Sequence, residues 1–216
     1  MRSGNPRRLS KDLLDRLSEL GRTRRYDRGD LIIKEGSRSD GVYVLLAGSA
    51  QVFAEDAHER KLIYNKIAAG EIFGEMLLDG GARSASVMAT SDCECIRIKR
   101  DELRAFIEQH PAFAHTLILV LIGRLRNATA QAKRLGLHDV GERVAHLLTA
   151  EAIEANGEWQ IPRELTQQEI ADRIGATREM VNLVIRRFIR SGHLVRKADR
   201  RLQMFKTLFC MDGVTK

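Results

Sequence analysis

A glycine-rich stretch in the first half of the chain carries residue types that can bind a phosphate group. Residues 70–85 read GEIFGEMLLDGGARSA. Backbone amides near Gly74 and Glu75, at the start of a short helical turn, can bind an anion as helix N-termini do. Arg83 adds a cation that can donate two hydrogen bonds to one anion, and Ser84 adds a hydroxyl. Because the Glu75 carboxylate can accept hydrogen bonds from sugar hydroxyls, the stretch predicts a site for a nucleotide with one phosphate charge, an arginine–glutamate pair in a β-turn being the alternative.

Basic residues are concentrated near the C-terminal end of the chain. Between positions 173 and 206 there are ten Lys or Arg residues and two acidic residues, a net charge of +8, against +7 for the whole chain. A solvated protein surface normally mixes the two signs. Clustering of one sign over a short segment is typical of a surface that binds the phosphate backbone of a nucleic acid.

The same region has the sequence pattern of a helix-turn-helix. Residues 166–185 read TQQEIADRIGATREMVNLVI. We expect Gly175 to permit a tight turn between two helices. Val181 and Ile185 are then expected to face the core from the second helix, and Thr177 to cap that helix. The alternative interpretation is an ordinary helical hairpin. The candidate DNA-binding residues are Thr166, Gln167, Thr177, Arg178, Glu179, Asn182, Arg186 and Lys197.

The elements that must position these residues change in type along the chain. Residues 9–20 place four leucines on one side of a short helix, with Ser10 as its N-cap. From residue 26 to residue 100, short runs of Val, Ile, Leu and Tyr are separated by glycines, which is typical of a β-sandwich or barrel. Asp101 is then expected to cap a helix that ends near Gln109.

The segment that follows has the most regular helical pattern of the chain. Pro111 suits its first turn, and apolar residues then recur at alternating spacings of four and three, the a/d pattern of a coiled coil. Charged and polar residues, Arg124 among them, flank this seam. We expect two copies of the chain to associate through this seam. The alternative is that the helix packs on its own domain. Gly136 is expected to end the helix. The predicted dimer seam consists of Ala114, Ile118, Leu121, Leu125, Ala128, Ala132 and Leu135.

Helical patterns continue after the long helix and then give way to a hairpin. Asp139, followed three positions later by Glu142, predicts a capping box. The helix that it opens is expected to reach about Glu154, before a turn at residues 156–157. Residues 193–205 alternate as two short strands. The expected fold class is therefore α+β: a β-rich domain, a long helix, and a small helical domain with a hairpin.

The order of these modules, together with two motifs, resembles the Crp/Fnr (catabolite activator) family of bacterial transcription regulators. The motifs are the G-E-x-x-G-E…R-S-A stretch that begins at Gly70 and the T-R-E-x-V stretch that begins at Thr177. The runs GDLIIKEG at 29–36 and DGVYVLLAG at 40–48 are also similar to the jelly-roll sensor domain of the family. The resemblance covers roughly residues 10–207.

The resemblance implies three parts and a function. Residues 1–109 would form a cyclic-nucleotide-binding-type β-roll (a jelly roll), residues 110–136 the dimerisation helix, and residues 137–216 a winged helix-turn-helix DNA-binding domain. The protein would be a homodimeric, sequence-specific regulator that binds palindromic double-stranded DNA and acts with RNA polymerase. It would require no cofactor, and cAMP or cGMP would switch it by shifting the population of two dimer arrangements.

The resemblance also implies a role for each residue of the ligand site. Glu75 would hold the ribose 2′-hydroxyl. The cyclic phosphate would be held by Arg83, Ser84 and the amides around Gly74. The loop between Glu75 and Arg83 is slightly shorter than in common members, which changes the mouth of the expected pocket.

Two departures from the family pattern concern the contacts to the base and to DNA. Ala128 stands where the cAMP-responsive prototype has a threonine that reaches the adenine, and Thr129 where it has a serine contributed across the dimer. Asn127 is a further polar candidate for the ligand site. Many relatives read S-R-E-T-V-x-R in the recognition helix, whereas Leu183 here replaces the second arginine. Since leucine cannot make the bidentate contact that arginine makes to guanine, we expect a half-site that differs from TGTGA.

Other classes of protein fit the sequence less well. The three cysteines, Cys93, Cys95 and Cys210, lie far from the N-terminal region where an iron–sulfur sensor carries its ligands, and are expected to be reduced thiols. No metal-ligand spacing, nucleophile–base pair or Walker-type loop supports a metal site or an enzyme. With neither a signal peptide nor a membrane-length apolar run, a cytoplasmic protein without membrane contact is expected. The alternatives that stay open are the same fold acting without a ligand, with cyclic di-GMP, or as a gas sensor through haem.

Overall fold

The computed structural model describes residues 8–38, 41–57, 60–155, 158–161, 165–199 and 201–204. The chain forms two compact units, the first made of the residues up to Ala54 and of Ile63–Thr129, the second of Glu55–Leu62 and the residues from Ala130 onward. The three-part division after residues 109 and 136 stays a prediction. Among the described residues no single helix has the length and apolar character to cross a membrane, and one pair of helices passes that test only when joined across a bend of 115°.

Two four-stranded sheets form the β-rich part of the first unit, as the glycine-separated apolar runs predicted. Its strands are β1 (Arg22–Tyr26), β2 (Leu31–Ile33), β3 (Gly41–Ala47), β4 (Ser49–Glu55), β5 (Lys61–Ala68), β6 (Ile72–Phe73), β7 (Ser86–Ala89) and β8 (Cys93–Lys99). The strand orders are β1-β8-β3-β6 and β2-β7-β4-β5. Neighbours such as β3 and β8 pair antiparallel. β3 and β6 are therefore adjacent strands, although almost thirty positions separate them in the chain.

The strands of this unit have apolar side chains on both faces of the first sheet. On β3, Val44 packs beneath helices, while Tyr43 on the other face stacks on Phe73 with the ring centroids 5.3 Å apart. Cys93 and Cys95 lie on one face of β8, as their spacing predicted, and both are buried. Because burial disfavours the thiolate, the pKa of Cys95 is raised from its ordinary 9.0 to about 12.

Three helices accompany these sheets: α1 (Lys11–Leu20), α2 (Arg100–Gln109) and α3 (Pro111–Leu137). The hydroxyl of Ser10 accepts a hydrogen bond at the start of α1, as predicted, and Leu17 is fully buried. The prediction that Asp101 caps α2 is wrong. The N-cap is Lys99, whose amide donates to the Glu102 carboxylate at 3.1 Å, so β8 leads directly into the helix.

α3 has one face buried in the first unit and another face exposed. Phe113, Leu117 and Val120 form the buried face. The predicted seam residues Ile118 and Leu125 are 53% and 67% exposed. At these two positions the seam is not the face by which α3 packs on the first unit, whereas Leu135, at the other end of the seam, lies against Gly175.

The second unit combines three helices with a small sheet. Its elements are α4 (Val140–Glu151), β9 (Ile153–Ala155), β10 (Glu158–Gln160), α5 (Gln167–Ile174), α6 (Arg178–Arg190), β11 (Leu194–Arg196) and β12 (Leu202–Met204). The sheet order is β11-β12-β10-β9, which confirms the predicted C-terminal hairpin. The capping box is confirmed too, since Asp139 and Glu142 exchange two hydrogen bonds of 2.8 Å at the start of α4.

Two predicted helix ends are wrong. α3 runs through Gly136, because a glycine inside a helix costs only about 1 kcal/mol and the Asp139 cap ends the segment instead. α4 ends at Glu151 rather than near Glu154, because Ile153 pairs with Gln160 and opens strand β9. The predicted turn at residues 156–157 lies outside the described residues.

Candidate functional site

The glycine-rich stretch folds so that Arg83 lies against Gly74. Gly74 follows β6 with φ +75°, a left-handed conformation that favours glycine. A Cβ at this position would lie 2.9 Å from Nη1 of Arg83 and 2.9 Å from Cδ1 of Ile33, so the close approach also requires glycine. Nη1 of Arg83 donates to the carbonyl oxygen of Gly74 at 2.7 Å.

The position of Arg83 is fixed at both ends of the residue. Its Nη2 donates to the carbonyl oxygen of Gly41 at the start of β3, and the side chain is only 5% exposed. Its amide donates to the carbonyl of Ser37 at 3.0 Å, and its own carbonyl accepts from the amide of Gly36 at 2.9 Å. The guanidinium is therefore held in place before any ligand arrives, with carbonyl oxygens that an anionic ligand can replace.

Glu75 opens a short 3₁₀ helix, Glu75–Asp79, and is 7% exposed. Its Oε2 lies 2.5 Å from Nη1 of Arg124, which comes from α3. Nη2 of Arg124 also donates to the carbonyl of Ile72 on β6. The carboxylate that was expected to bind a ribose hydroxyl is thus paired with a cation from the long helix.

Arg124 is the residue of this site that the sequence reasoning missed, since it was taken as a flanking charge of the seam. A signal for it exists in the helical spacing. Arg124 follows Val120 by four positions and Leu117 by seven, so it shares their face of α3. A charged residue on a face that packs inward calls for a buried partner of opposite sign.

The other ligand-site candidates are more exposed. The Ser84 hydroxyl donates to Sδ of Met76 at 3.1 Å, a weak acceptor in the 3₁₀ helix. Asn127 and Thr129 lie on α3 within about one and a half turns of Arg124, and both are exposed. The structure therefore places Arg83 against Gly74 and the Glu75–Arg124 pair at the next residue, with Ser84 exposed beside Met76.

The predicted helix-turn-helix is present in the second unit. Thr166 caps α5, accepting from the Glu169 amide at 3.1 Å, and Thr177 caps α6, accepting from the Met180 amide at 3.2 Å. Between the two helices Gly175 has φ +64°, the left-handed turn that the sequence predicted. The residues expected to pack the pair are buried: Ile170, Ala171, Val181 and Ile185.

The candidate DNA-binding residues differ in how far they are engaged within the chain. Arg178, Glu179 and Arg186 are exposed on α6. Asn182 is half-buried, and its Oδ1 accepts from Nε2 of Gln167 on α5 at 3.1 Å. Nζ of Lys197 lies 3.4 Å from a carboxylate oxygen of Glu158, in a partly exposed pair that contributes about 0–1 kcal/mol.

Two of the ten basic residues do not act as simple surface charges. Arg173 is largely buried and its Nη2 lies 2.6 Å from Oε1 of Glu151, so it helps to hold α5 against α4. Hydrogen bonds from the Arg201 side chain and amide lower the pKa of Asp199. The negative charge of Asp199 offsets the positive charge of Arg201 locally. Two others, Arg200 and Lys206, lie outside the described residues. The exposed positive charge is centred on α6, at Arg178, Arg186, Arg187 and Arg190.

Comparison with known proteins matches both units to established domains. Residues 23–110 match the cyclic nucleotide-binding domain, and residues 142–205 match the Crp-like helix-turn-helix domain. The chain is 31% identical to the cAMP-activated global transcriptional regulator Vfr of Pseudomonas aeruginosa over 204 residues, 90% of this chain and 94% of Vfr. It is 29% identical over 172 residues to the CRP-like cAMP-activated global transcriptional regulator of Mycobacterium tuberculosis, 77% of each chain.

Solved structures share the fold over most of the chain. The c-di-GMP responsive global regulator CLP of Xanthomonas campestris superposes with a TM-score of 0.78 at 23% identity, covering 91% of this chain and 99% of CLP. TTHA1359, a transcriptional regulator from Thermus thermophilus, superposes with a TM-score of 0.70 at 24% identity, covering 90% of this chain and 100% of that one. At these identities the likeness establishes the fold.

Fold and domains together define a class of protein, the DNA-binding transcription regulators in which a cyclic-nucleotide-binding β-roll precedes a Crp-like helix-turn-helix. The named relatives are regulators of transcription. The chain belongs to the Crp/Fnr family, which confirms the resemblance seen in its motifs.

Proposed function

We propose that this regulator is a homodimer whose first unit binds a cyclic nucleotide, with cAMP as the first candidate, and whose second unit binds a palindromic DNA site. The observation that carries the proposal is the Arg83 guanidinium, buried and held against Gly74 inside a cyclic nucleotide-binding domain. The guanidinium donates to two backbone carbonyls, those of Gly74 and Gly41, which a phosphate can displace.

Each side chain of the first unit has a role in this proposal. Arg83 and Ser84, with the amides around Gly74, bind the cyclic phosphate. Glu75 accepts a hydrogen bond from the ribose 2′-hydroxyl and stays paired with Arg124, which keeps the carboxylate in position. Ligand binding at Glu75 is thereby communicated to α3 through the Arg124 side chain.

Dimerisation is proposed to occur through the exposed seam of α3. Ile118, Leu121 and Leu125 expose apolar surface that a second copy of the helix would cover. In such a dimer Asn127 and Thr129 lie close to the two ligand sites, and Thr129 is the candidate for a contact across the dimer. The seam also contains Ala128, Ala132 and Leu135.

The second unit is proposed to place α6 in the major groove of DNA. Arg178 donates two hydrogen bonds to a guanine, and Glu179 accepts one from a cytosine amino group. Arg186 and Lys197 neutralise phosphates, and the hydroxyl and amide groups of Thr166, Gln167 and Thr177, near the two helix N-termini, donate hydrogen bonds to phosphates. Two-fold symmetry of the dimer makes the site a palindrome. RNA polymerase is the proposed partner on the promoter.

The effector acts by population shift. A cyclic nucleotide that binds better to the DNA-competent dimer favours that arrangement only to the extent of its differential affinity. A second candidate is control by another ligand, such as cyclic di-GMP, or by none. It is favoured by Ala128, whose side chain offers no hydrogen bond to a base at the seam position where a polar contact is expected.

Calorimetric titration of nucleotide-stripped protein with cAMP, cGMP and cyclic di-GMP, at one salt concentration, tests the proposal. We expect micromolar binding of a cyclic mononucleotide to wild type, loss of that binding in Arg83→Gln, and an unchanged dimer of that variant in gel filtration. Lys34→Gln, which removes an exposed positive charge on a neighbouring loop, is the matched control and should bind as wild type does. Absence of heat with both mononucleotides would remove the cyclic-nucleotide assignment while leaving DNA binding untouched.

A further inference from the structure

Leu183 occupies the centre of the outward face of α6. The inward face is formed by Val181, Ile185 and Phe188, which are all buried. With about 100° of rotation per residue, Leu183 points almost opposite to that face. Its side chain is 67% exposed, the most exposed of the large apolar residues of α6.

Most of the exposed residues around Leu183 are charged, and Met180, one turn before it, is an exposed apolar neighbour. Glu179 precedes it by one helical turn, while Arg186 and Arg187 follow it by one turn; all three are exposed. Arg190 is exposed two turns further along the same side. Single exposed leucines are common on protein surfaces, but this one lies in the middle of the face that a helix-turn-helix presents to base edges.

An aliphatic side chain in the major groove discriminates between bases by a simple rule. Guanine, adenine and cytosine present hydrogen-bonding groups there that a leucine leaves unpaired, and an unpaired buried polar group is destabilising. Thymine presents one acceptor and a C5-methyl group, which can pack on an aliphatic side chain. Leucine thus favours thymine both by contact and by rejecting the other bases.

We propose that Leu183 reads the 5-methyl group of a thymine, one in each half of the DNA site. The inference rests on the proposed placement of α6 in the major groove. It goes further than the loss of an arginine contact, since it assigns a base preference to this position. At Leu183 the specificity comes from apolar packing. Its neighbours Glu179 and Arg186 contact the DNA through charged groups, Glu179 at a base and Arg186 at a phosphate.

Replacement of thymine by deoxyuridine isolates the methyl group, because the two bases differ in that group alone. The full-length protein is first used to select sites from random duplex DNA, without nucleotide and with cAMP, cGMP or cyclic di-GMP. We expect an enriched palindrome with a symmetric thymine. Deoxyuridine at that position should weaken binding about fourfold per half-site, as expected for loss of one buried methyl-sized group, measured by fluorescence anisotropy at one salt concentration. A cytosine at the position should bind weakly, and 5-methylcytosine should restore part of the affinity.

Three variants decide whether Leu183 is responsible. Leu183→Ala should bind the thymine and deoxyuridine duplexes almost equally. Leu183→Arg should shift the selected base toward guanine, as a bidentate donor does. Ile189→Ala, which shortens another exposed aliphatic side chain near the end of α6, is the matched control and should keep the fourfold difference.

The outcomes separate this inference from the proposed function. If a palindrome is selected and deoxyuridine is tolerated at every thymine, or if Leu183→Ala keeps the wild-type discrimination, the role of Leu183 is overturned and the DNA-binding proposal stands. If no sequence is enriched under any of the four conditions, both fail together.

Discussion

Removal of the Arg124 side chain should destabilise the first unit strongly, because it leaves the Glu75 carboxylate without its cation. The two charges are 2.5 Å apart, and the side chains are 20% and 7% exposed. Breaking a fully buried ion pair from one side costs about 3–5 kcal/mol, whereas an exposed pair contributes about 0–1 kcal/mol. With one partner one-fifth exposed, we expect Arg124→Met to lower the free energy of unfolding by about 2–4 kcal/mol.

The assay is urea unfolding followed by circular dichroism, at one protein concentration and without nucleotide. The matched control is Arg16→Met, because Arg16 and Asp12 form a pair at 3.2 Å whose side chains are both more than half exposed. That variant should lose less than about 1 kcal/mol. The double variant Glu75→Gln/Arg124→Met should be more stable than Arg124→Met alone, since no buried charge is then left unpaired. A loss in Arg124→Met no larger than in Arg16→Met would refute the assignment of the buried pair.

Two further predictions concern the α3 seam and the buried thiol. Leu125→Glu should convert the dimer to a monomer in light scattering, because it puts a charge at the most exposed of the large apolar seam residues, whereas Leu137→Glu, outside the seam, should remain dimeric. For Cys95, whose pKa is raised from 9.0 to about 12, the unfolded chain loses the thiol proton first as pH rises. Stability should therefore fall between about pH 9 and pH 12, and less steeply in Cys95→Ala, as measured by urea unfolding at each pH; equal slopes would contradict the raised pKa.

The helix-turn-helix was predictable because its determinants are local in sequence. The caps at Thr166 and Thr177 and the left-handed turn at Gly175 are each specified within four residues. Short strands are less predictable, since their pairing is decided by distant partners. β9 illustrates this: Ile153–Ala155 continues a helical pattern in sequence and becomes a strand only because β10 pairs with it.

The candidate ligand site combines residues of one motif with one residue from far along the chain. Gly74, Glu75 and Arg83 lie within ten positions, and their types indicate the chemistry directly. Arg124 comes from almost fifty positions later, and only the packing of α3 brings it to Glu75. The pairing of a buried charge is a tertiary event, so the sequence predicts that a partner is needed and not which residue supplies it.

The hydrogen bond between Gln167 and Asn182 has a consequence for how DNA targets diverge during evolution. It joins the first residue of α5 to the half-buried Asn182 of α6, so the two side chains orient each other. Substitution of either residue releases the amide of the other, and effects at two contacting positions are not additive. A change of one residue therefore leaves the other amide without this partner, and we expect a compensating change at the second position.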